Sequence, residues 1–245
     1  MTEPAAPAPP LSELDRLTGV LFDPKPAFTD IAARPQGWWL PLVLLIVLSL
    51  VFTYAFTQRV GWERFMRQQM ESNPRVQDLP ADRREQIIEQ QARLAPIFGY
   101  AGSVVFSSLL ALVIAGALLF VFNVLLGAEL PFRQLFTLAS YSLLPLAVRG
   151  VVGLAVLFLK DPADFDLENP VASNLGAFLD PNTVPKWLVS LGTSLDAFNV
   201  WVVLLLATGV AAAARKLSWS KSITWVVASW GLFLAGKSLV VWIFS

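Results

Sequence analysis

Neither cysteine nor histidine occurs in the chain. The missing thiols exclude disulfides and thiol redox chemistry. With imidazole also absent, zinc sites of the usual ligand type and any triad built on an imidazole base are excluded too. The lack of cysteine leaves the redox compartment undecided. Charge is scarce: Asp, Glu, Lys and Arg make up 15% of the 245 residues, and 18 basic residues balance 18 acidic ones. No basic excess points to nucleic acid, so no nucleic-acid partner is expected. No phosphate loop, dinucleotide fingerprint or run of metal-binding carboxylates occurs, so no cofactor and no metal is expected. What the chain has in abundance is apolar. At 56% hydrophobic residues and a mean hydropathy of +0.60, it reads as a membrane protein.

Lipid admits only helices or closed barrels, and a helix needs about 20 apolar residues to cross. Five stretches meet this, at about 38–57, 97–126, 132–159, 187–212 and 222–244. Trp38, Trp39, Trp62, Trp187, Trp219 and Trp242 stand near their ends, where indole rings favour the headgroup level. Pro145, inside the third stretch, predicts a kink. The expected fold is all-α: a five-transmembrane-helix bundle with a helical extramembrane loop over 38–245, preceded by short interfacial helices over 11–37.

Residues 1–10, "MTEPAAPAPP", are too poor in large apolar groups to bury a core and read as a disordered tail. No basic segment precedes an apolar run there, so the first span is expected to be an uncleaved anchor. Across 11–37, Leu11, Leu14, Leu17, Leu21, Phe28 and Ile31 fall at helical spacings interrupted by Pro24 and Pro26. This pattern predicts two amphipathic helices lying at the bilayer interface. The loop 58–96 carries seven Arg against six acidic residues. It reads as a helical hairpin broken at Asn73-Pro74, with a second helix starting near Asp78 and Pro80. Such mixed charge fits a solvated cap on the bundle, with a docking surface as the competing reading.

Short loops orient a membrane protein through their Lys and Arg. "ARKLSWSK" holds Arg215, Lys216 and Lys221 without an acid, whereas the loop between the third and fourth spans is acidic. With five spans these loops face opposite sides. The basic one is expected in the cytoplasm, with the N-terminus, and the C-terminus on the opposite face.

Three ionisable groups fall inside the expected spans: Arg149, Asp196 and Lys237. At 1.5 Å per residue all three lie within about 6 Å of their segment centres, displaced toward one face. An unpaired charge at that depth costs about 2.5 to 3.5 kcal/mol on insertion scales, so Asp196 is expected to pair with Arg149 or Lys237. Asn199, one turn on from Asp196, would complete the hydrogen bonding. Such a cluster serves either as a fastener between helices or as part of a solute or proton pathway. The polar line a pathway needs is incomplete, with only Asn123 and Tyr141 toward the other face. For an intramembrane hydrolase the chain offers neither a carboxylate pair nor a Ser-Lys dyad: Lys237 and Ser238, as neighbours, point about 100° apart. The protein is therefore read as a non-enzyme.

"LFDPKPAFTDI" ahead of the first span, "NPRVQDLPADRREQIIEQQ" in the long loop and "NPVASNLGAFLD" ahead of the fourth span follow one another in a distinctive order. With "LDAFNVWVVLLLATGVAAAARKLSWSKS" they carry a resemblance over nearly the whole chain after the tail. The sequence resembles the Ypt-interacting protein (Yip) domain family of five-span membrane proteins, in its bacterial branch. That resemblance implies a five-helix bundle with a cytoplasmic N-terminus, in the bacterial inner membrane. Eukaryotic relatives are associated with Rab-type GTPases and vesicle traffic, but no feature of this sequence supports GTPase docking. The expected function is a scaffold or adaptor that organises membrane proteins or lipids, in trafficking or homeostasis. The alternative is a small permease or proton-coupled channel using the Asp196 cluster. Expected partners are the lipid bilayer and other membrane proteins. Gly99 with Gly102 and Gly150 with Gly153 fit close helix contacts, either within one bundle or between copies in a homo-oligomer.

Overall fold

A computed structural model describes residues 9–71, 79–180, 183–214 and 217–244. Most of the expected tail, the Asn73-Pro74 break, Asp78, and the cations Arg215 and Lys216 lie outside the described residues. In chain order the helices are α1 Glu13–Phe22, α2 Pro24–Ala33, α3 Trp39–Arg59 and α4 Trp62–Glu71, then α5 Ala81–Leu118, which continues as π-helical turns over Leu119–Leu125. They continue with α6 Phe132–Ser142, α7 Leu144–Leu159, a 3-10 turn at Leu175–Phe178, α8 Lys186–Ser194, α9 Ala197–Ala213 and α10 Trp219–Phe244. The protein is all-α and consistent with a polytopic membrane bundle. Among the described residues, four helical stretches are long and apolar enough to cross: Trp39–Arg59, Ala81–Leu125, Phe132–Leu159 and Trp219–Phe244. Ala197–Ala213 is shorter.

Local chemistry explains where the helices start and stop. Ser12 and Asp15 exchange side-chain and backbone hydrogen bonds in a capping box that starts α1, and Pro24 occupies the first turn of α2. The Pro80 carbonyl accepts from the N–H groups of Arg83 and Arg84, which places the start of α5 where the sequence predicts it. That helix then runs unbroken through Pro96 into the second apolar stretch, so no loop separates the extramembrane helix from the span. Residues 132–159 break at Leu143. Pro145 has no N–H to give the Tyr141 carbonyl, so the helix breaks at Leu143 and the chain restarts as α7 at Leu144.

Contacts divide the chain into two units. One comprises residues 9–42, 111–145 and 200–236. In it Val20, Phe28 and Ile31 are fully enclosed by Leu138 and Tyr141 of α6, Leu144 and Leu205 of α9. The amphipathic helices expected at the bilayer surface thus bury part of their apolar stripe against protein, Phe28 and Ile31 fully and Leu17 and Leu21 partly. Each such side chain removed from water is worth about 1.5 to 3 kcal/mol. Leu14 and Phe22 point outward and remain available to lipid. Gln134 donates to the Ala32 carbonyl at 2.6 Å, tying the end of α2 to α6.

The other unit comprises residues 43–110, 146–199 and 237–244. Phe56, Leu157 and Phe165 form its centre, with Trp62 packed edge-on against Phe56 at 5.0 Å. Gly99 makes this possible, since a β-carbon there would meet the Trp62 ring at 2.7 Å. Thr53 and Ser103 share a buried hydrogen bond of 2.8 Å between α3 and α5, the kind of polar contact that joins helices in lipid. Arg67 forks onto Glu85 at 2.9 and 3.0 Å, pairing α4 with α5.

Candidate functional site

Residues 187–212, expected as one span, form two helices. α8 stops at Ser194, Leu195 leaves helical geometry, and α9 starts at Ala197. Asp196 is therefore an N-cap and not a carboxylate within a helix. Its Oδ1 accepts from the N–H of Phe198 at 2.8 Å and of Asn199 at 3.4 Å, satisfying donors that have no partner inside the helix. Its Oδ2 accepts from the Ser173 hydroxyl. The carboxylate is 1% exposed, so these bonds and the positive end of the α9 dipole replace the water it has lost.

The same junction is stitched through its backbone. The N–H of Leu175 donates to Leu195 and that of Ala197 to Ser173, forming an isolated antiparallel bridge between Asn174 and Asp196. Asn174 caps the 3-10 turn by accepting from Ala177 at 3.0 Å and donates to the Asn169 side chain at 2.7 Å. Two glycines allow the turn to lie directly on α8. A β-carbon at Gly176 would fall 2.7 Å from the Thr193 nitrogen, and one at Gly192 would fall 2.9 Å from the Gly176 nitrogen.

Of the four residues expected to cluster, Asp196 and Asn199 come together, although through the Asn199 backbone. Its side chain turns back to donate to the Ser194 carbonyl at 3.2 Å. Lys237 reaches the same junction by another route. Its Nζ donates to the Ser194 hydroxyl at 2.7 Å and to the Ser190 carbonyl at 3.5 Å, where the negative end of α8 favours a cation. Among the described residues no ion pair joins Asp196 to Lys237 or Arg149, so the expected pairing does not form. The helix-breaking cap supplies hydrogen bonds that a continuous helix could not have offered. Arg149, half-buried on α7, makes no hydrogen bond or ion pair among the described residues. Asn123, a candidate pathway position, spends its amide on the backbone of Leu130 in both directions, at 2.8 and 2.9 Å.

Ser173, Ser194, Gly176 and Gly192 were not singled out from sequence, yet they make the junction. The signal for the cap itself was present: an Asp directly before an apolar run marks a helix start. A second polar cluster also went unread. Arg16, 3% exposed, binds Asp30 at 2.7 and 2.8 Å, Glu13 at 3.2 Å and the carbonyls of Arg34 and Gln36. Arg34 pairs with Asp30 as well, and the Tyr141 hydroxyl donates to Glu13 at 2.6 Å. This cluster locks α1 and α2 to each other and to α6.

Fold and junction together define an integral membrane protein whose buried polar groups fasten helix ends to loops. The chain belongs to the Yip1 domain family, whose family model matches residues 18–240. Comparison with curated proteins and with solved structures gives no match. The resemblance to the Yip domain family is thereby borne out at the level of the family.

Proposed function

We propose that this Yip1 domain protein is a non-enzymatic membrane scaffold or adaptor that organises membrane proteins or lipids, with the Asp196 junction as its internal fastener. The supporting observation is that the buried Asp196 carboxylate accepts hydrogen bonds from Ser173 and from two N–H groups of the first turn of α9. A buried carboxylate so engaged holds a loop on a helix. The basic character of the 213–221 loop supports a cytoplasmic N-terminus, and the motif resemblance supports a bacterial inner membrane. The competing permease reading draws on Arg149, a cation in a spanning stretch that the described residues leave without a partner.

Crosslinking of the tagged protein in native membranes, wild type beside Asp196→Asn, tests the scaffold reading. A stoichiometric protein partner captured by the wild type supports it. No partner, together with solute or proton flux in reconstituted vesicles, overturns it in favour of the permease.

A further inference from the structure

Arg59 ends α3, a 21-residue helix whose rise of about 31 Å matches a hydrocarbon core of about 30 Å. A span of that length would carry the Arg59 guanidinium to headgroup level. Two of its three nitrogens are spent on the end of α7: Nε donates to Leu157 at 2.7 Å, and Nη2 to Phe158 and Lys160 at 3.0 and 3.1 Å. Nη1 makes no hydrogen bond among the described residues. The guanidinium carbon lies over the Phe158 ring, 5.6 Å from its centre. Beside it opens a concave space of about 640 Å³, lined by Val51, Tyr54, Gln58 and Arg59 of α3 and by Leu154 and Phe158 of α7. The apolar wall continues down α3 from a cation at its rim.

We propose that this groove holds a bilayer phospholipid, its phosphodiester on Arg59 Nη1 and the Gln58 amide and an acyl chain along Val51 and Leu154. The helix carbonyls already hold the guanidinium in place, so binding a phosphate costs little further ordering. Planar N–H donors suit phosphate oxygens, and a phosphate keeps a membrane-interface cation neutralised where water is thin. This inference does not depend on the scaffold reading.

Native mass spectrometry of the full chain, titrated with phosphatidylglycerol, tests it. The wild type will hold a lipid saturably, and Arg59→Gln will weaken that binding about tenfold, as loss of a charged hydrogen bond implies. Because Arg59 also caps α7, Val51→Trp supplies the independent test: it fills the groove from an exposed position and leaves those carbonyl contacts intact. It will also lower occupancy, and inorganic phosphate at millimolar level will not displace the lipid. Wild-type occupancy in Val51→Trp would overturn the proposal. Displacement by inorganic phosphate would do so as well, by assigning the site to the free anion.

Discussion

The Ser173 hydroxyl donates to the Asp196 carboxylate across the junction where α8 ends and α9 begins. One side chain thereby caps the apolar helix α9 and anchors the loop that precedes it. The two roles are energetically linked, because losing the loop would expose the cap and losing the cap would free the loop.

Removal of either partner will therefore show non-additivity. Asp196→Ala is expected to destabilise the protein by about 1 to 2 kcal/mol through the cap alone, and its cycle with Ser173→Ala to give a coupling of about 0.5 to 3 kcal/mol. Asp196→Leu combined with Lys237→Leu will not recover the loss, since no ion pair joins these residues. Thermal unfolding in detergent measures both.

Gly176 and Gly192 are expected to be intolerant. Gly176→Val pushes its side chain into the Thr193 backbone, and Gly192→Val does the same to Gly176. Overpacking of this kind costs about 1 to 3 kcal/mol, and proteolysis within 160–180 will report detachment of the loop.

At the other polar cluster, Asp30→Ala leaves the buried Arg16 guanidinium without its main partner, an expected loss of about 3 to 5 kcal/mol. Arg16→Met with Asp30→Leu is expected to regain much of it, because apolar packing can replace a buried pair. Tyr141→Phe removes a single hydrogen bond to the Glu13 carboxylate and is expected to cost about 1.5 to 3 kcal/mol. Expression level and melting temperature rank the three.

Arg149→Leu is expected to be tolerated. The described residues offer this cation no partner, and removing it relieves an insertion cost of about 2.5 to 3.5 kcal/mol. Abundance in membranes at or above wild type is the expected result.

Much of this was legible in the sequence, because lipid makes long apolar runs nearly unambiguous. The stretch Trp39–Arg59 and the break before Pro145 are examples. Four of the spans follow from apolar length alone. The fourth stretch misled because apolar composition is the same on both sides of Leu195, and a hydropathy window does not register a cap. Asp196 looked like a charge in a span only while α8 and α9 were one helix. Ser173 lies 23 residues away, and no local pattern announces that a loop will fold back onto a helix start. Arg16 and Asp30 were hidden for a related reason, since on an amphipathic helix a buried charge looks like a solvated one until its partner is placed.

The most direct test of the fastener claim is Asp196→Asn, measured for thermal stability and for proton or solute flux in reconstituted vesicles. Asn caps helices about as well as Asp, so the account predicts that stability stays within about 1 kcal/mol of wild type and that flux is nil in both proteins. Wild-type flux that vanishes in an equally stable Asp196→Asn protein would contradict it.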